Sequence, residues 1–515
     1  MRLPLWAPGW VTGVQLMPAK RILSGALAAL LIAAIPARAT SVPTFTLVDA
    51  VRPGAASSYA MDLGPTGTLG DYLYFAANDG TNGVELWRSN GTTTELVKDI
   101  NVSGGSNPFG LTRLGDYLYF HANDGTSGYE LWRTDGTTAG TTLVKDINSG
   151  GGNGYPNAFA PFGGYLYFSA DDGTSGYELW RTDGTTAGTT LVKDINSGGD
   201  SSNSFGFTKL GDYLYFKAND GTSGNELWRT DGTTAGTTLV KDIYVGGSSN
   251  PSGFTKLGEY LYFNADDGYN GVELWRTDGT EAGTTLVKDI YSVLNSNPYG
   301  FTKLGDHLYF AAGDGTNGYE LWRTDGTEAG TTLVKDIRPG SSSGSPSYLA
   351  VLGNYLYFAA VDGTNGWELW RSDGTAAGTT LIEDIYPGSG NSYPAILTPL
   401  GEYIYFTAYD VDRLGIWRTN GTVTENVPLP GDDSAPGRVD CDVCEGDYLA
   451  TVGGRLYTVT AFSSYGFEFA YLDEPTYVLP ETNRGASVWT VTLVILAGLT
   501  AAASIALRVR GATRA

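Results

Sequence analysis

Short apolar runs separated by turn residues recur along most of the chain. In one copy the runs read Tyr117-Leu118-Tyr119-Phe120, Glu130-Leu131-Trp132-Arg133-Thr134 and Thr142-Leu143-Val144-Lys145-Asp146-Ile147. Aromatic and β-branched residues bounded by Gly, Asn or Asp are typical of strands. Asp124-Gly125 and Asp135-Gly136 stand between the runs, and Asp-Gly favours a hairpin because Gly accepts a positive φ. With a shorter strand of the Phe207-Thr208-Lys209-Leu210 type, each unit is predicted to be an antiparallel sheet of strands a, b, c and d.

The units repeat at a nearly fixed period. Successive copies of the strand-c tryptophan are 45, 48, 48, 47, 47, 48 and 47 residues apart, at Trp87, Trp132, Trp180, Trp228, Trp275, Trp322, Trp370 and Trp417. Both faces of the strands are apolar, since Leu118 and Phe120 alternate with Tyr117 and Tyr119. A sheet covered on both faces must lie between two others, so the pattern predicts an all-β propeller of stacked four-stranded blades over residues 40–473.

The number of strands predicts how the ring closes. Strand b occurs nine times, last and degenerate as Arg455-Leu456-Tyr457, and the unit ending in Gly466-Phe467-Glu468-Phe469 has no strand d. An additional strand d, Phe45-Thr46-Leu47-Val48-Asp49-Ala50, stands near the N-terminus. We expect it to complete the last sheet and remove free edges. This predicts nine blades; eight blades with a stray hairpin is the alternative, because propellers usually have four to eight.

The N-terminal segment has the pattern of a secretory signal peptide. Lys20 and Arg21 precede an apolar stretch over residues 22–35, and Ala37-Arg38-Ala39 fits a cleavage site before Thr40. We therefore assign residues 1–39 to the signal, with Met17 as the true start.

The C-terminal segment predicts a membrane anchor. Residues 488–507 are mostly apolar and uncharged, long enough to cross a bilayer as a helix, and residues 508–515 form a basic tail expected to stay cytoplasmic. Within the linker 474–487, Leu479-Pro480-Glu481-Thr482-Asn483 resembles the sorting signal of sortase-anchored bacterial surface proteins, which has Gly where Asn483 stands. The two alternatives are a plain membrane anchor and a C-terminal segment that a sorting enzyme cleaves.

The strand-c segment carries a second resemblance. Glu130-Leu131-Trp132-Arg133-Thr134-Asp135-Gly136-Thr137 and its copies over residues 44–425 resemble the ELWxxDGT repeat of bacterial secreted proteins. The eighth unit departs from it, reading Gly415-Ile416-Trp417-Arg418-Thr419-Asn420-Gly421-Thr422. The resemblance implies export and a repeat-built fold, but no common activity.

Composition excludes several classes of function. The net charge is -23, which argues against a nucleic-acid partner because phosphate requires a basic surface. Only 2 His and 2 Cys are present, which is too few for a zinc cluster and leaves little for histidine-based catalysis. Near-identical units place the same acids in every blade, whereas catalysis usually needs an asymmetric set of groups, so we predict no catalytic residue and no cofactor. Cys441 and Cys444 are expected to form a local disulfide, since export favours it and the acids around them disfavour a reactive thiolate; redox activity or metal binding is the alternative.

The repeated acids suggest calcium as a possible ligand. The turns between strands b and c offer carboxylate and carbonyl oxygens, and the candidate ligands are Asp124, Glu130, Asp172 and Glu178. The alternative is an Asp side chain that bonds neighbouring backbone amides. The spacing matches no EF-hand loop.

A few residues break the repeat. They are Lys217, Trp367, Glu383, Asp410, Asp412 and Arg413. Random drift at tolerant positions explains each of them, whereas clustering of Lys217, Glu383, Asp412 and Arg413 at one channel mouth would favour an enzyme. His121 occupies a slot that varies freely, and His307 replaces a strand-b tyrosine as a ring of similar size.

These observations predict an exported, membrane-anchored, monomeric propeller that acts as a non-catalytic binding, adhesion or display module at the cell envelope. The expected partner is an extracellular protein or glycan, contacted by variable loops such as Asn148–Phe159 and Arg338–Tyr348. A glycan-active enzyme with its site at the channel, or a calcium-stabilised scaffold, are the alternatives.

Overall fold

The computed structural model describes residues 43, 45–47, 51, 67–411, 413–428, 448–452, 454–462 and 466–473. These residues form no helix; they form 36 strands in nine four-stranded antiparallel sheets. The predicted all-β class and the count of nine are therefore confirmed. The predicted signal peptide, the cleavage site at Ala39 and Thr40, the Cys441–Cys444 pair, the sorting-like motif and the C-terminal span lie outside the described residues.

In the described part of the chain, no helix has the length and apolar character that crossing a bilayer requires.

The strands follow the predicted order a, b, c, d within each blade. Strands a of blades 1 to 9 are β2 (Thr68–Leu69), β6 (Phe109–Leu114), β10 (Asn157–Phe162), β14 (Phe205–Leu210), β18 (Ser252–Leu257), β22 (Tyr299–Leu304), β26 (Ser347–Leu352), β30 (Ala395–Leu400) and β34 (Tyr448–Val452). Strands b are β3 (Tyr72–Asn78), β7 (Tyr117–Asn123), β11 (Tyr165–Asp171), β15 (Tyr213–Asn219), β19 (Tyr260–Asp266), β23 (His307–Gly313), β27 (Tyr355–Val361), β31 (Tyr403–Asp410) and β35 (Arg455–Phe462). Strands c are β4 (Val84–Ser89), β8 (Tyr129–Thr134), β12 (Tyr177–Thr182), β16 (Asn225–Thr230), β20 (Val272–Thr277), β24 (Tyr319–Thr324), β28 (Trp367–Ser372), β32 (Arg413–Thr419) and β36 (Gly466–Asp473). Strands d are β5 (Thr94–Lys98), β9 (Thr142–Lys145), β13 (Thr190–Lys193), β17 (Thr238–Lys241), β21 (Thr285–Lys288), β25 (Thr332–Lys335), β29 (Thr380–Glu383), β33 (Thr424–Asn426) and, from the N-terminus, β1 (Thr46–Leu47).

The Asp-Gly turns form as the sequence predicts. Asp124 Oδ1 accepts hydrogen bonds from the backbone N–H groups of Thr126 and Ser127, at 2.8 and 2.7 Å. Asp135 Oδ1 accepts one from Thr137 at 2.8 Å, and the Gly136 that follows Asp135 has a φ of 92°. Each Asp therefore satisfies the backbone of its own turn, and the glycine supplies the positive φ that the turn needs.

Alternation along strand b places one apolar set on each neighbouring blade. Leu118 and Phe120 pack with Tyr74 and Leu86 of blade 1, whereas Tyr119 packs against blade 3. Each hydrophobic core therefore lies between two successive blades, which explains why a single unit could not bury its own faces. Strands a contact strands a of the adjacent blades, so they form the inner wall of the ring.

The N-terminal strand closes the ring. β1 pairs antiparallel with β36, matching Thr46 to Tyr471. Phe45 is buried in the core shared by blades 8 and 9, and Val51 is buried in the core shared by blades 9 and 1. The eight-blade alternative is therefore wrong, because the last hairpin and the N-terminal strand make a complete sheet between two others.

An arginine repeated in strand c ties each of blades 1 to 7 to the next. The Arg133 guanidinium lies 4.4 Å from the Tyr117 ring centre, and its Nη1 donates to the Gly184 carbonyl of blade 3 at 2.8 Å. The same bond joins Arg88 to Gly136, Arg181 to Gly232, Arg229 to Gly279, Arg276 to Gly326, Arg323 to Gly374 and Arg371 to Gly421. At the closure an arginine from strand b, Arg455 of blade 9, donates to the Asn90 carbonyl of blade 1.

The connections define two faces of the ring. The b–c turns and the d–a loops lie together, as shown by the bond from Tyr129 N–H, at the start of strand c, to Asn153 Oδ1 in the following loop at 2.9 Å. We call this side the loop face. The a–b and c–d turns lie at the opposite ends of the strands, on what we call the turn face.

Candidate functional site

The repetition allows the blades to be compared position by position within one chain. The first residue of strand a (position a1) and the fifth residue of strand b (b5) vary from blade to blade. In the register these two positions pair directly, as Phe109↔His121, Asn157↔Ser169, Phe205↔Lys217, Ser252↔Asn264, Tyr299↔Ala311, Ser347↔Ala359 and Ala395↔Thr407.

The first residue of strand c (c1) varies as well. It is Val84, Tyr129, Tyr177, Asn225, Val272, Tyr319 and Trp367 in blades 1 to 7. All three positions lie at the strand ends nearest the loop face. We call them the variable rim: a1 and b5 of blades 2 to 8, and c1 of blades 1 to 7. The residues that tie blades together on the turn face are nearly constant, so variation between blades is concentrated on one face.

A buried carboxylate holds each d–a loop in place. Glu130 is 0% exposed, and its carboxylate accepts backbone N–H bonds from Ile147 and Gly154 at 2.7 Å each. Seven blades repeat this arrangement, with Glu85, Glu130, Glu178, Glu226, Glu273, Glu320 and Glu368 all fully buried. The two bonds fix the loop at both ends, at Ile147 and Gly154 in blade 2. The residues between these two points can therefore differ from blade to blade without loss of the fold.

Burial raises the pKa of these seven glutamates above the ordinary value. It reaches about 7 for Glu130, Glu320 and Glu368 and about 6 for Glu273, because removal from water disfavours the charged form more than the N–H donors favour it. Glu85, Glu178 and Glu226 shift in the same direction for the same cause.

The raised pKa values of the buried glutamates predict that the free energy of unfolding falls as the pH rises. Between about pH 4.5 and 7 the folded chain binds more protons than the unfolded chain, so raising the pH through that window reduces the free energy of unfolding. We expect the melting temperature to be higher at pH 5 than at pH 8. Repeating the melts at high salt is the control, because buried groups are screened less than surface charges. A melting temperature that is flat or rises over this range would contradict the prediction.

The inner wall carries a cavity of ≈720 Å³ that opens among the strands a of blades 3 to 7. Phe205, Phe254, Phe301 and Tyr348 line it, and so does Lys217 from the second strand of blade 4. An adjoining cavity of ≈430 Å³ lies between blades 3 and 4 and shares Phe205 and Lys217 with the first. The variable rim therefore borders the mouth of the channel on the loop face.

A β-bulge shapes the wall at the second residue of strand a. Four blades have glycine there, as at Gly206 with a φ of 79°, but Ala158, Tyr348 and Ile396 adopt φ of 55°, 53° and 54°. A side chain in this left-handed region costs about 1–2 kcal/mol. Tyr348 is 56% exposed and lines the larger cavity. Blade 7 thus accepts backbone strain and places an aromatic ring in the channel, a combination typical of functional sites.

Aromatic side chains lie along the loop face in pairs. Tyr129 and Tyr155 stack with ring centres 4.9 Å apart, and His121 meets both rings edge-on while its Nδ1 bonds the Pro156 carbonyl at 2.9 Å. In blade 7 Trp367 and Tyr393 have ring centres 6.3 Å apart. The predicted contact loops contribute here, since Tyr155 lies within Asn148–Phe159 and Tyr348 ends Arg338–Tyr348. Rings held in place and open to solvent on one side are suited to stacking on a flat ligand.

The calcium candidates occupy two separate hydrogen-bond networks. Asp124 and Asp172 close exposed b–c turns through backbone N–H groups, whereas Glu130 and Glu178 are buried and bond the d–a loops. Among the described residues, no three His, Cys, Asp or Glu side chains come together as a metal ion would require. The turn-forming interpretation of the aspartates accounts for their contacts.

The residues that break the repeat are spread over different layers. Lys217 lines the channel cavities, whereas Glu383 is exposed on the outermost strand of blade 7. Asp410 pairs with Arg413 at the b–c turn of blade 8, and Asp412 lies outside the described residues. The described members of the enzyme constellation are therefore not brought together. His307 lies next to Tyr309 at 6.4 Å, much as Tyr213 lies next to Tyr215 at 6.5 Å, which agrees with its role as a ring substitute.

Sequence reasoning missed the residues at a1 and at the bulge. Phe109, Phe205 and Tyr299 are 55%, 59% and 39% exposed at the channel mouth, although the pattern alone assigned them to loops or short strands. The signal that would have found them is variation inside a constant repeat, with large aromatic residues alternating with Asn, Ser and Ala at one position.

No family model and no curated protein matches the sequence. Among solved structures, one from a structural and mechanistic analysis of two prolyl endopeptidases aligns with a TM-score of 0.39 and 13% identity, covering 68% of this chain and 54% of that one. Puromycin hydrolase aligns with a TM-score of 0.36 and 15% identity, covering 68% and 59%. The chain thus spans less than two thirds of either protein's length, and at these values the likeness carries no functional information.

Proposed function

We propose that the protein is an exported, membrane-anchored propeller whose loop face binds a glycan at the cell envelope without catalysis. The observation that carries the proposal is the concentration of variation, and of exposed aromatic rings, on the variable rim. Residues that only hold the blades together have no reason to differ from blade to blade. The interblade contacts on the turn face are indeed nearly constant. Function in repeat rings sits in the loops and the concave surface they surround.

The chemistry of the rim favours a glycan over a protein partner. Exposed rings such as Phe205 and Tyr299 alternate at a1 with the polar side chains of Asn157, Ser252 and Ser347. A sugar presents an apolar ring face edged by hydroxyl groups, and this alternation of stacking surface and hydrogen-bond groups matches it. A mouth lined by a ≈720 Å³ cavity also suits a short oligosaccharide better than a broad protein surface.

A glycan array probed with the full chain tests the proposal. We expect binding to a chemically related group of glycans, and no turnover of the bound sugars. Absence of binding to every glycan would overturn the proposed function in favour of a protein partner, and release of shortened sugars would overturn its non-catalytic part.

Replacing Tyr348 with Gly should weaken binding to the best array glycan about tenfold, or roughly 1.4 kcal/mol, because a stacking ring is lost. The same change should leave the melting temperature equal or higher, because relief of left-handed strain, about 1–2 kcal/mol, outweighs the added freedom of the unfolded chain, about 0.4–1 kcal/mol. Titration calorimetry and thermal melting measure the two effects.

Ala158→Gly is the matched control, since Ala158 has the same backbone conformation and lines the same cavity without a ring. It should relieve the same strain and leave affinity unchanged. Equal losses of affinity in both variants would show that the Tyr348 ring is not a contact.

A further inference from the structure

Lys217 is the one cation among the seven b5 residues of the variable rim, and it stands in both cavities. The corresponding positions hold His121, Ser169, Asn264, Ala311, Ala359 and Thr407. Its backbone pairs with Phe205, so a cation and an exposed aromatic ring are side by side at the mouth. No hydrogen bond or ion pair joins the Lys217 ammonium to another residue within the described ranges.

The smaller cavity around Lys217 is polar and carries no carboxylate in its described lining. Besides Lys217 and Phe205 it is formed by Asn157, Ser169, Tyr177, Asn203, Ser204 and Asn225. The Asn157, Asn203 and Asn225 amides, the Tyr177 hydroxyl and the Lys217 ammonium supply the donors, whereas Ser169 and Ser204 are almost fully buried. In a chain with net charge -23, neither cavity has an acid among its described lining residues. The smaller one, of ≈430 Å³, differs in surrounding the Lys217 ammonium mainly with polar side chains.

We propose that this cavity between blades 3 and 4 binds the carboxylate of an acidic sugar, with Lys217 as the anion-binding residue. The inference rests on the proposed function and names the class of glycan. The ammonium donates to the carboxylate, the amides of Asn157, Asn203 and Asn225 bond ring hydroxyls, and Phe205 supplies the stacking surface. Because both ionic partners are partly shielded from water here, the attraction is stronger than at an open surface.

Binding of polygalacturonate and of neutral galactan to the full chain tests this inference. We expect polygalacturonate to bind at least tenfold more tightly than galactan, and its affinity to fall as salt is raised. Lys217→Gln should abolish that preference without lowering the melting temperature, and Lys217→Arg should restore most of it.

Lys209→Gln is the matched control, because Lys209 lies in the same blade, is exposed, and sits near the turn face. It makes the same change in net charge and should keep the preference. Equal losses in the Lys209 and Lys217 variants would show unspecific attraction of a polyanion and overturn the inference. Tight binding of galactan with no preference for polygalacturonate would also overturn the inference, while leaving the proposed glycan-binding function intact. If the chain bound neither polymer and no glycan on the array, both the inference and the proposed function would be wrong.

Discussion

Replacing Phe45 with Ala should lower the free energy of unfolding by about 3–5 kcal/mol, the range for removing a fully buried aromatic side chain. Phe45 is 3% exposed in the core between blades 8 and 9, next to the strand that completes the last sheet. Loss of the ring leaves a cavity at the place where the two ends of the chain meet. Chemical denaturation of the full chain, followed by tryptophan fluorescence, measures the loss.

Val423→Ala is the control for this variant, since Val423 is 49% exposed on the neighbouring blade. It should change stability by no more than about 0.5 kcal/mol. If Phe45→Ala shifted the unfolding midpoint no more than Val423→Ala, the N-terminal strand would not be what closes the ring.

Replacing Glu130 with Ala should cost about 3 kcal/mol or more. The substitution leaves the buried N–H groups of Ile147 and Gly154 without an acceptor, and each unsatisfied donor costs about 1–3 kcal/mol. Because the lost contacts hold the d–a loop, hydrogen exchange should increase at residues 147–154 more than in the rest of blade 2.

Asp124→Ala provides the comparison, because the N–H groups that Asp124 accepts from lie in an exposed turn where water can replace it. We expect a loss below about 1 kcal/mol, as for an exposed cap. Losses that are equal in the two variants, or that disappear when calcium is removed by a chelator, would favour the metal-ligand interpretation of both residues.

Much of the fold can be predicted from the sequence, because each repeat shows the same pattern of strands and turns. Alternation at Tyr117, Leu118, Tyr119 and Phe120 determines which neighbour each side chain meets, and the structure shows this arrangement in the cores on either side of blade 2. Counting strands was enough to assign Phe45–Leu47 to the last blade. Local pattern and turn chemistry agree at nearly every unit, which is the condition under which prediction from sequence succeeds.

The candidate site follows from the sequence much less well. Lys217 looks like random drift when read along the chain, because nothing local shows that b5 pairs with a1 across the sheet. The bulge at the second residue of strand a shifts the register between Phe205 and Thr208, and it directs a1 to the mouth of the channel. Such cross-strand and cross-blade neighbours become visible only once the ring is assembled.

The buried glutamates are a second case in which the sequence does not reveal a residue's surroundings. Glu130 was predicted as a possible calcium ligand because it follows an Asp-Gly turn, and the sequence gives no sign that it is fully buried. Its partners lie 17 and 24 residues further along: Ile147 ends the repeated Thr-Leu-Val-Lys-Asp-Ile run, and Gly154 lies in a variable loop. Nothing in either segment marks it as a partner of Glu130. In the structure the Glu130 carboxylate anchors the d–a loop beside the proposed glycan-binding surface.

Oxidative footprinting of the full chain, with and without the best glycan from the array, tests the central claim most directly. The account predicts protection of Phe109, Phe205, Tyr299 and Tyr348 at the channel mouth, and no change at Tyr355, which is 38% exposed beside the turn face. Protection centred on Tyr355, or equal reactivity of the mouth residues in the two samples, would contradict a binding surface on the loop face.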